Sequence, residues 1–237
     1  MNVRDQNWAA VIVAAGRGER FGRPKQLLEV AGVPMVGWSV RTFAGMPEIS
    51  DIVVATEEQF IEPMHALFEE LVPERTVHVV RGGATRQQSV VNGLSAAPAR
   101  CTAVLVHDGA RPLVRESAVR AAMRAVAPGR GALLAQRVVD TVKLVDEKTN
   151  AVVETLDRRR LWAAQTPQLA TVVDMRRAHE HARRDGIEAT DDAMLLERIG
   201  IEVMIVPSSS ENFKVTLPAD IARAEMLLRE RAVEASP

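Results

Sequence analysis

The sequence predicts an α/β fold, a largely parallel sheet with helices on both faces, and three observations carry that prediction. Short runs rich in Val, Ile and Ala alternate with longer amphipathic stretches along the 237 residues. The short runs are apolar throughout, as strands buried on both faces must be. Glycine turns and a basic cluster follow the strands, at the edge where doubly wound folds bind ligands. Six runs have strand length: 9–15, 51–56, 76–80, 102–107, 131–136 and 202–206. Helices are predicted over 34–45, 58–71, 86–97, 116–127, 168–184, 190–199 and 218–232. Pro34 and Pro218 suit first-turn positions, and Thr190 is placed to cap the helix that Asp191 and Asp192 begin. Residues 137–163 break the rhythm. Two Val-rich runs there flank the polar stretch Asp146 to Asn150, the pattern of a β-hairpin. A hairpin alone buries too little to be stable, so it packs on its own domain or on a second subunit. No linker composition and no internal repeat divides the chain, which reads as one domain, 1–237, with an arm at about 137–158.

Composition narrows the function. Thirty Lys and Arg against 31 Asp and Glu give a net charge of −1, without the basic excess that nucleic acids and anionic membranes select. Five Phe, three Trp and no Tyr exclude a surface that stacks successive bases. The single Cys101 forms no internal disulfide and has no base beside it in the sequence, so it reads as a buried thiol. The run Val11 to Ala15 is too short for a signal segment or a membrane span, and a cytoplasmic setting is expected. No HExxH or CxxC occurs, and His179 and His181 point to different faces of a helix.

The chemistry gathers at strand ends. The first strand leads into Ala14-Ala15-Gly16-Arg17-Gly18-Glu19-Arg20-Phe21-Gly22-Arg23-Pro24-Lys25, where glycines let the backbone approach a phosphate. Phe21 breaks both the dinucleotide fingerprint and the P-loop. Five cations against two acids in residues 1–25 suit a triphosphate whose charge grows at the leaving pyrophosphate. A second glycine turn, Gly82-Gly83, opens a helix carrying Arg86 and Ser89; Ser89 bonds either a nucleotide or its own backbone. Asp108 and Arg111 follow the fourth strand, where a magnesium, ribose or phosphate contact would sit, and His107 reads as a strand-end residue rather than a base. Lys214 follows the last strand. Cations from four loops with no protein nucleophile point to direct phosphoryl or nucleotidyl transfer.

These residues resemble a known family. AAGRGERFGRPKQ, GGATRQQSVVNGL, VLVHDGARP, DTVKLVD, TLDRRRLWAAQTPQ, ATDDA and NFKVT are similar, in order and spacing, to the 2-C-methyl-D-erythritol 4-phosphate cytidylyltransferases. The resemblance implies a Rossmann-like, glycosyltransferase-A-like nucleotidyltransferase fold, a three-layer sandwich with a protruding β-hairpin dimerisation arm. It implies CTP as co-substrate, Mg2+ or another divalent cation, and a homodimer. Arg20 and Lys25 would stabilise the transition state, and Arg158 and Lys214 would position the attacking phosphate. Ala14, Ala15, Gly16, Gly18, Gly82 and Ser89 would hold cytidine, with Asp108 toward CTP and metal. Asp108, Arg111, Thr141, Arg158, Thr166 and Lys214 would meet the polyol phosphate, Thr141 and Arg158 reaching over from the partner. Thr85 and Gln88 stand where several relatives carry acids. Two alternatives remain at this point: a ribitol-5-phosphate cytidylyltransferase, and a non-catalytic nucleotide sensor.

Overall fold

The computed structural model describes residues 6–16 and 27–234. Its core is a seven-stranded sheet of order β11-β7-β10-β6-β1-β4-β5. The strands are β1 (Trp8–Val13), β4 (Ile49–Thr56), β5 (Val77–Arg81), β6 (Ala103–Asp108), β7 (Arg130–Arg137), β10 (Trp162–Thr171) and β11 (Glu202–Pro207). β1 is parallel to β4 and β6, and β4 to β5. All six predicted strands are present. The seventh, β10, runs antiparallel between β6 and β7, which makes the sheet mixed. It also overturns the predicted start of a helix at 168: residues 168–171 pair with β6, and the helix begins at Val172. Gln165, Thr166 and Pro167 break the apolar run that marks the other strands, which is why periodicity missed β10.

The alternation within each strand builds two cores. Ala10, Ile12, Ile52, Val54 and Leu105 face one side, where they meet α1 (Met35–Ala44), α2 (Ile61–Leu71) and α4 (Glu116–Ala125) through Val40, Phe43, Phe68 and Met123. Ala9, Val11, Val53, Val104 and Val106 face the other, under α3 (Arg86–Ala96), α5 (Val172–Arg184) and α6 (Asp192–Arg198), through Val90, Leu94, Met175 and Leu196. Side chains of period two alone account for this division into three layers. A third cluster, Val30, Met35, Leu113, Val215 and Leu228, seats α7 (Pro218–Glu234) and a two-stranded ribbon, β2 (Glu29–Val30) with β3 (Val33–Pro34).

Two capping expectations change. Asp191, not Thr190, caps α6, its carboxylate accepting from Met194 N–H at 3.0 Å. Pro34 occupies the N-cap of α1 rather than its first turn, whereas Pro218 does open α7. The hairpin is present as β8 (Lys143–Val145) and β9 (Val152–Thr155). Its turn is organised by Asp146, whose carboxylate accepts from the N–H groups of Lys148 and Thr149, with Asn150 at φ 56°. Val139, Leu144, Val145, Val152 and Val153 are exposed along the arm in the single chain.

Candidate active site

The parallel strands β1, β4, β5 and β6 end on one edge, and their loops are tied together by main-chain bonds. Ala14 N–H donates to Ala55 C=O at 2.8 Å, Gly82 N–H to Thr56 C=O at 2.6 Å, and Gly109 N–H to Val13 C=O at 3.0 Å. The two glycine turns touch. A Cβ at Gly82 would lie 2.4 Å from Ala15 Cβ, so only glycine permits this approach. Thr85 caps α3, accepting from Gln88 N–H at 3.1 Å, and Gln88 Nε2 turns along the helix to Asn92. The Ser89 hydroxyl is buried, accepts from Gly83 N–H at 3.0 Å and donates to Thr85 C=O at 2.9 Å. Of the two roles open to Ser89 in the sequence, the structure shows the backbone bond. Gly18, Arg20 and Lys25 lie outside the described residues.

Asp108 ends β6 and collects cations from three separate stretches. Its Oδ1 accepts from Arg86 Nε at 3.0 Å; its Oδ2 meets Lys214 Nζ at 2.9 Å and Arg111 Nε at 3.7 Å. Burial pushes this carboxyl up, but Arg86, Lys214 and Arg111 together outweigh burial and hold it well below the usual carboxylate range. Arg111 is placed by a bond from Nη1 to Asn212 C=O at 2.7 Å, and its pKa is lowered by burial and by the neighbouring Arg86 despite Asp108. Lys214, with a side chain 39% exposed, is the member of the cluster that faces solvent most openly.

Behind Asp108 the hydroxyl of Thr166 is buried. It accepts from Asp108 N–H at 3.0 Å and bonds His107 Nδ1 at 3.0 Å, while His107 Nε2 bonds Arg111 C=O at 3.1 Å. The carbonyl can only accept, so Nε2 carries the hydrogen and Thr166 donates to Nδ1. Burial pushes His107 down to about 4, so the ring is neutral at pH 7 with both nitrogens engaged. Asn212 Nδ2 donates to Gln165 Oε1 and to Thr166 C=O, joining the last loop to β10.

Sequence reasoning missed one layer. Arg86 Nη2 reaches Asp192 Oδ2 at 2.9 Å, and Asp192 Oδ1 in turn meets His179 Nε2 at 3.0 Å. Asp192 was legible as a helix-start residue within the ATDDA segment but with no role assigned, and His179 only as a helical one. The convergence thus includes Asp108, Arg111, Thr166 and Lys214 together with Ala14, Ala15, Gly82 and Ser89 close by. It does not include the arm residues: Thr141 and Arg158 are exposed, Arg158 Nη1 donates to Val139 C=O, and neither is joined to Asp108 by a described hydrogen bond or ion pair. Among the described residues no group of three or more His, Cys, Asp or Glu could hold a metal ion, and no helix is long and apolar enough to cross a membrane.

Known proteins are similar to this chain over nearly its whole length. The family profile for 2-C-methyl-D-erythritol 4-phosphate cytidylyltransferase matches residues 8–230. A protein of that name from Nostoc sp. is 41% identical over 223 residues, 93% of this chain and 97% of the relative. One from Caldanaerobacter subterraneus is 38% identical over 94% of this chain and all of the relative. Among solved structures, a 4-diphosphocytidyl-2C-methyl-D-erythritol synthase from Anaerococcus prevotii aligns with a TM-score of 0.83 at 26% identity, covering 94% of this chain and 99% of the other. The cytidylyltransferase of Thermus thermophilus aligns at 0.74 with 32% identity, covering 93% and 98%. With the fold, the glycine turns and the Asp108 cluster in place, the chain belongs to the 2-C-methyl-D-erythritol 4-phosphate cytidylyltransferase family.

Proposed function

We propose that the chain transfers CMP from CTP to 2-C-methyl-D-erythritol 4-phosphate, giving 4-diphosphocytidyl-2-C-methyl-D-erythritol and pyrophosphate. The observation that carries this reading is the cation cluster on Asp108 beside two touching glycine turns, in a chain of this family. It is a nucleotidyltransferase. An oxygen of the 4-phosphate forms a bond to the α-phosphorus of CTP; the bond from that phosphorus to the bridging oxygen breaks, and pyrophosphate leaves with the electron pair. Such a displacement needs positioning and positive charge rather than a protein nucleophile.

In this reading Arg20 and Lys25 stabilise the pentavalent transition state. The main chain from Ala14 to Gly18, with Gly82 and the turn that Ser89 braces, takes the cytidine, in keeping with the few aromatic residues. Lys214 and Arg111 meet the attacking phosphate; Asp108 and Thr166 set them in place. Thr141 and Arg158 act in the neighbouring site of a homodimer, a role supported by the exposed apolar side chains of the arm. Asp108 by itself does not fit a divalent cation, because three cations already surround it. A magnesium ion therefore belongs with the CTP phosphates, where it would supply charge neutralisation. A cytoplasmic setting fits the single buried thiol.

Pyrophosphate release from CTP with each polyol phosphate tests the activity. Turnover with methylerythritol phosphate, at a kcat/KM on the order of 100-fold above that with ribitol 5-phosphate, is expected. CTP binding with no release on either substrate sinks the proposal. For the arm, inactive Arg158→Ala and Lys25→Ala chains, mixed and refolded, should regain partial activity; verified heterodimers without recovery would refute a shared site.

A further inference from the structure

Arg86 divides its guanidinium between two carboxylates, and the second one decides what the first can do. Nε donates to Asp108 Oδ1 at 3.0 Å, and Nη2 forms an ion pair with Asp192 Oδ2 at 2.9 Å that lacks hydrogen-bond alignment. Asp192 is 1% exposed, and its other oxygen meets His179 Nε2 at 3.0 Å; His179 is itself 3% exposed. The His179 Nδ1 has no hydrogen-bond partner among the described residues, so the bond to Asp192 is that ring's described polar tie. Burial pushes Asp192 up, but Arg86 and His179 outweigh it and keep the carboxyl below its ordinary range. Among the described residues three cations, Arg86, Arg111 and Lys214, thus stand against Asp108 and Asp192.

We infer that Asp192, braced by His179, is a positioning residue that keeps Arg86 from taking both oxygens of Asp108. An arginine fork prefers to chelate a carboxylate through two parallel bonds. Held by Asp192, Arg86 offers Asp108 only Nε, and Asp108 Oδ2 stays turned toward Lys214 and Arg111. Without the Asp192 charge the fork is free to swing, engage both Asp108 oxygens, and release the Lys214 amine. Neither Asp192 nor His179 touches substrate in this scheme. They act through Arg86 and Asp108 on the lysine that meets the attacking phosphate, so the inference rests on the activity proposed above.

Two readouts test it, and the first does not need turnover. Labelling of lysine amines by an N-hydroxysuccinimide ester, followed by peptide mass spectrometry, reports Lys214 directly, with Lys143 and Lys148 of the arm as internal references. Asp192→Asn is expected to speed labelling of Lys214 at least threefold and leave the references unchanged; an unchanged Lys214 rate overturns the inference. The second is a double-mutant cycle on kcat/KM for the polyol phosphate. Asp192→Asn should cost about tenfold or more in the wild-type background but less than twofold when Lys214→Ala has removed what it positions. The same cost in both backgrounds would mark Asp192 as structural only and overturn the inference. Should Asp192→Asn fail to fold, His179→Met removes the brace while leaving both ion pairs, and the same two readouts apply, with a labelling increase expected again. A wild-type enzyme that makes no product with either polyol phosphate defeats the activity proposal, whereas the labelling result still decides the positioning one.

Discussion

Two buried aspartates stand at opposite ends of the same sheet and keep different company. Asp51, near the start of β4, accepts from Ser50 Oγ at 2.7 Å and from Cys101 Sγ at 3.3 Å, and pairs with Arg100, whose side chain is 60% exposed. Asp108, at the far end of β6, meets Arg86, Arg111 and Lys214. The cation at Asp51 is solvated, so its charge is screened and contributes little. At Asp108, Arg86 and Arg111 are mostly withdrawn from solvent and a further carboxylate lies behind them. Burial of a carboxylate is common to both. Convergence of surplus cations from loops distant in sequence belongs to Asp108 alone of the pair, and it is what an anionic substrate can use.

Breaking the two aspartates in turn should separate them. Asp108→Asn leaves three neighbouring cations without their shared carboxylate, and about 3–5 kcal/mol of stability should go with it, since removing one partner strands the others. Urea unfolding of Asp108→Asn and Asp51→Asn side by side reads the difference; an equal loss in both would erase the contrast between the two ends of the sheet. The next effect concerns pH. Burial holds His107 at about 4 in the folded chain, below its ordinary 6.5. Between those values the unfolded chain binds the proton and the folded chain does not, so stability falls as pH drops from 6.5 to 4, by up to about 3 kcal/mol. In His107→Gln this slope should largely vanish, and urea midpoints at pH 7, 6 and 5 would show a persistent slope if His107 were not its source.

A smaller effect is expected at the glycine contact. Gly82→Ala drives a methyl against Ala15, which should cost about 1–3 kcal/mol and raise KM for CTP by spreading the two turns. A variant with normal KM would show that the contact does not shape the nucleotide site. Smallest of all, Arg100→Gln at the opposite edge should change stability by about 1 kcal/mol or less, with kcat within twofold of wild type. A larger loss of kcat would give the Asp51 end a part in function.

Strand positions were legible because a doubly covered strand must be apolar along its length, and β1, β4, β5, β6, β7 and β11 all are nearly so in the sequence. β10 was not, because its polar Gln165 and Gln168 depend on distant partners: Asn212 and Ser209 for one, Asp191 and Ala193 N–H for the other, besides a local bond from Gln168 to Gln165 C=O. The cluster was half legible. Loop cations at strand ends named Arg86, Arg111 and Lys214 as site cations, and motif order assigned the family; their pairing with shared carboxylates was not legible.

By itself, then, the sequence determined the layered α/β class, the glycine turns, the arm and the set of charged loops, since each is set by local pattern. Tertiary structure alone decided that β10 runs against its neighbours. It also decided that Thr166 spends its hydroxyl on His107 and the Asp108 backbone, and that Arg86 is shared between Asp108 and Asp192. Those outcomes depend on which partners meet across 22 to 106 residues of chain. A buried polar group takes whatever partner the fold brings within reach, and no local pattern encodes that choice.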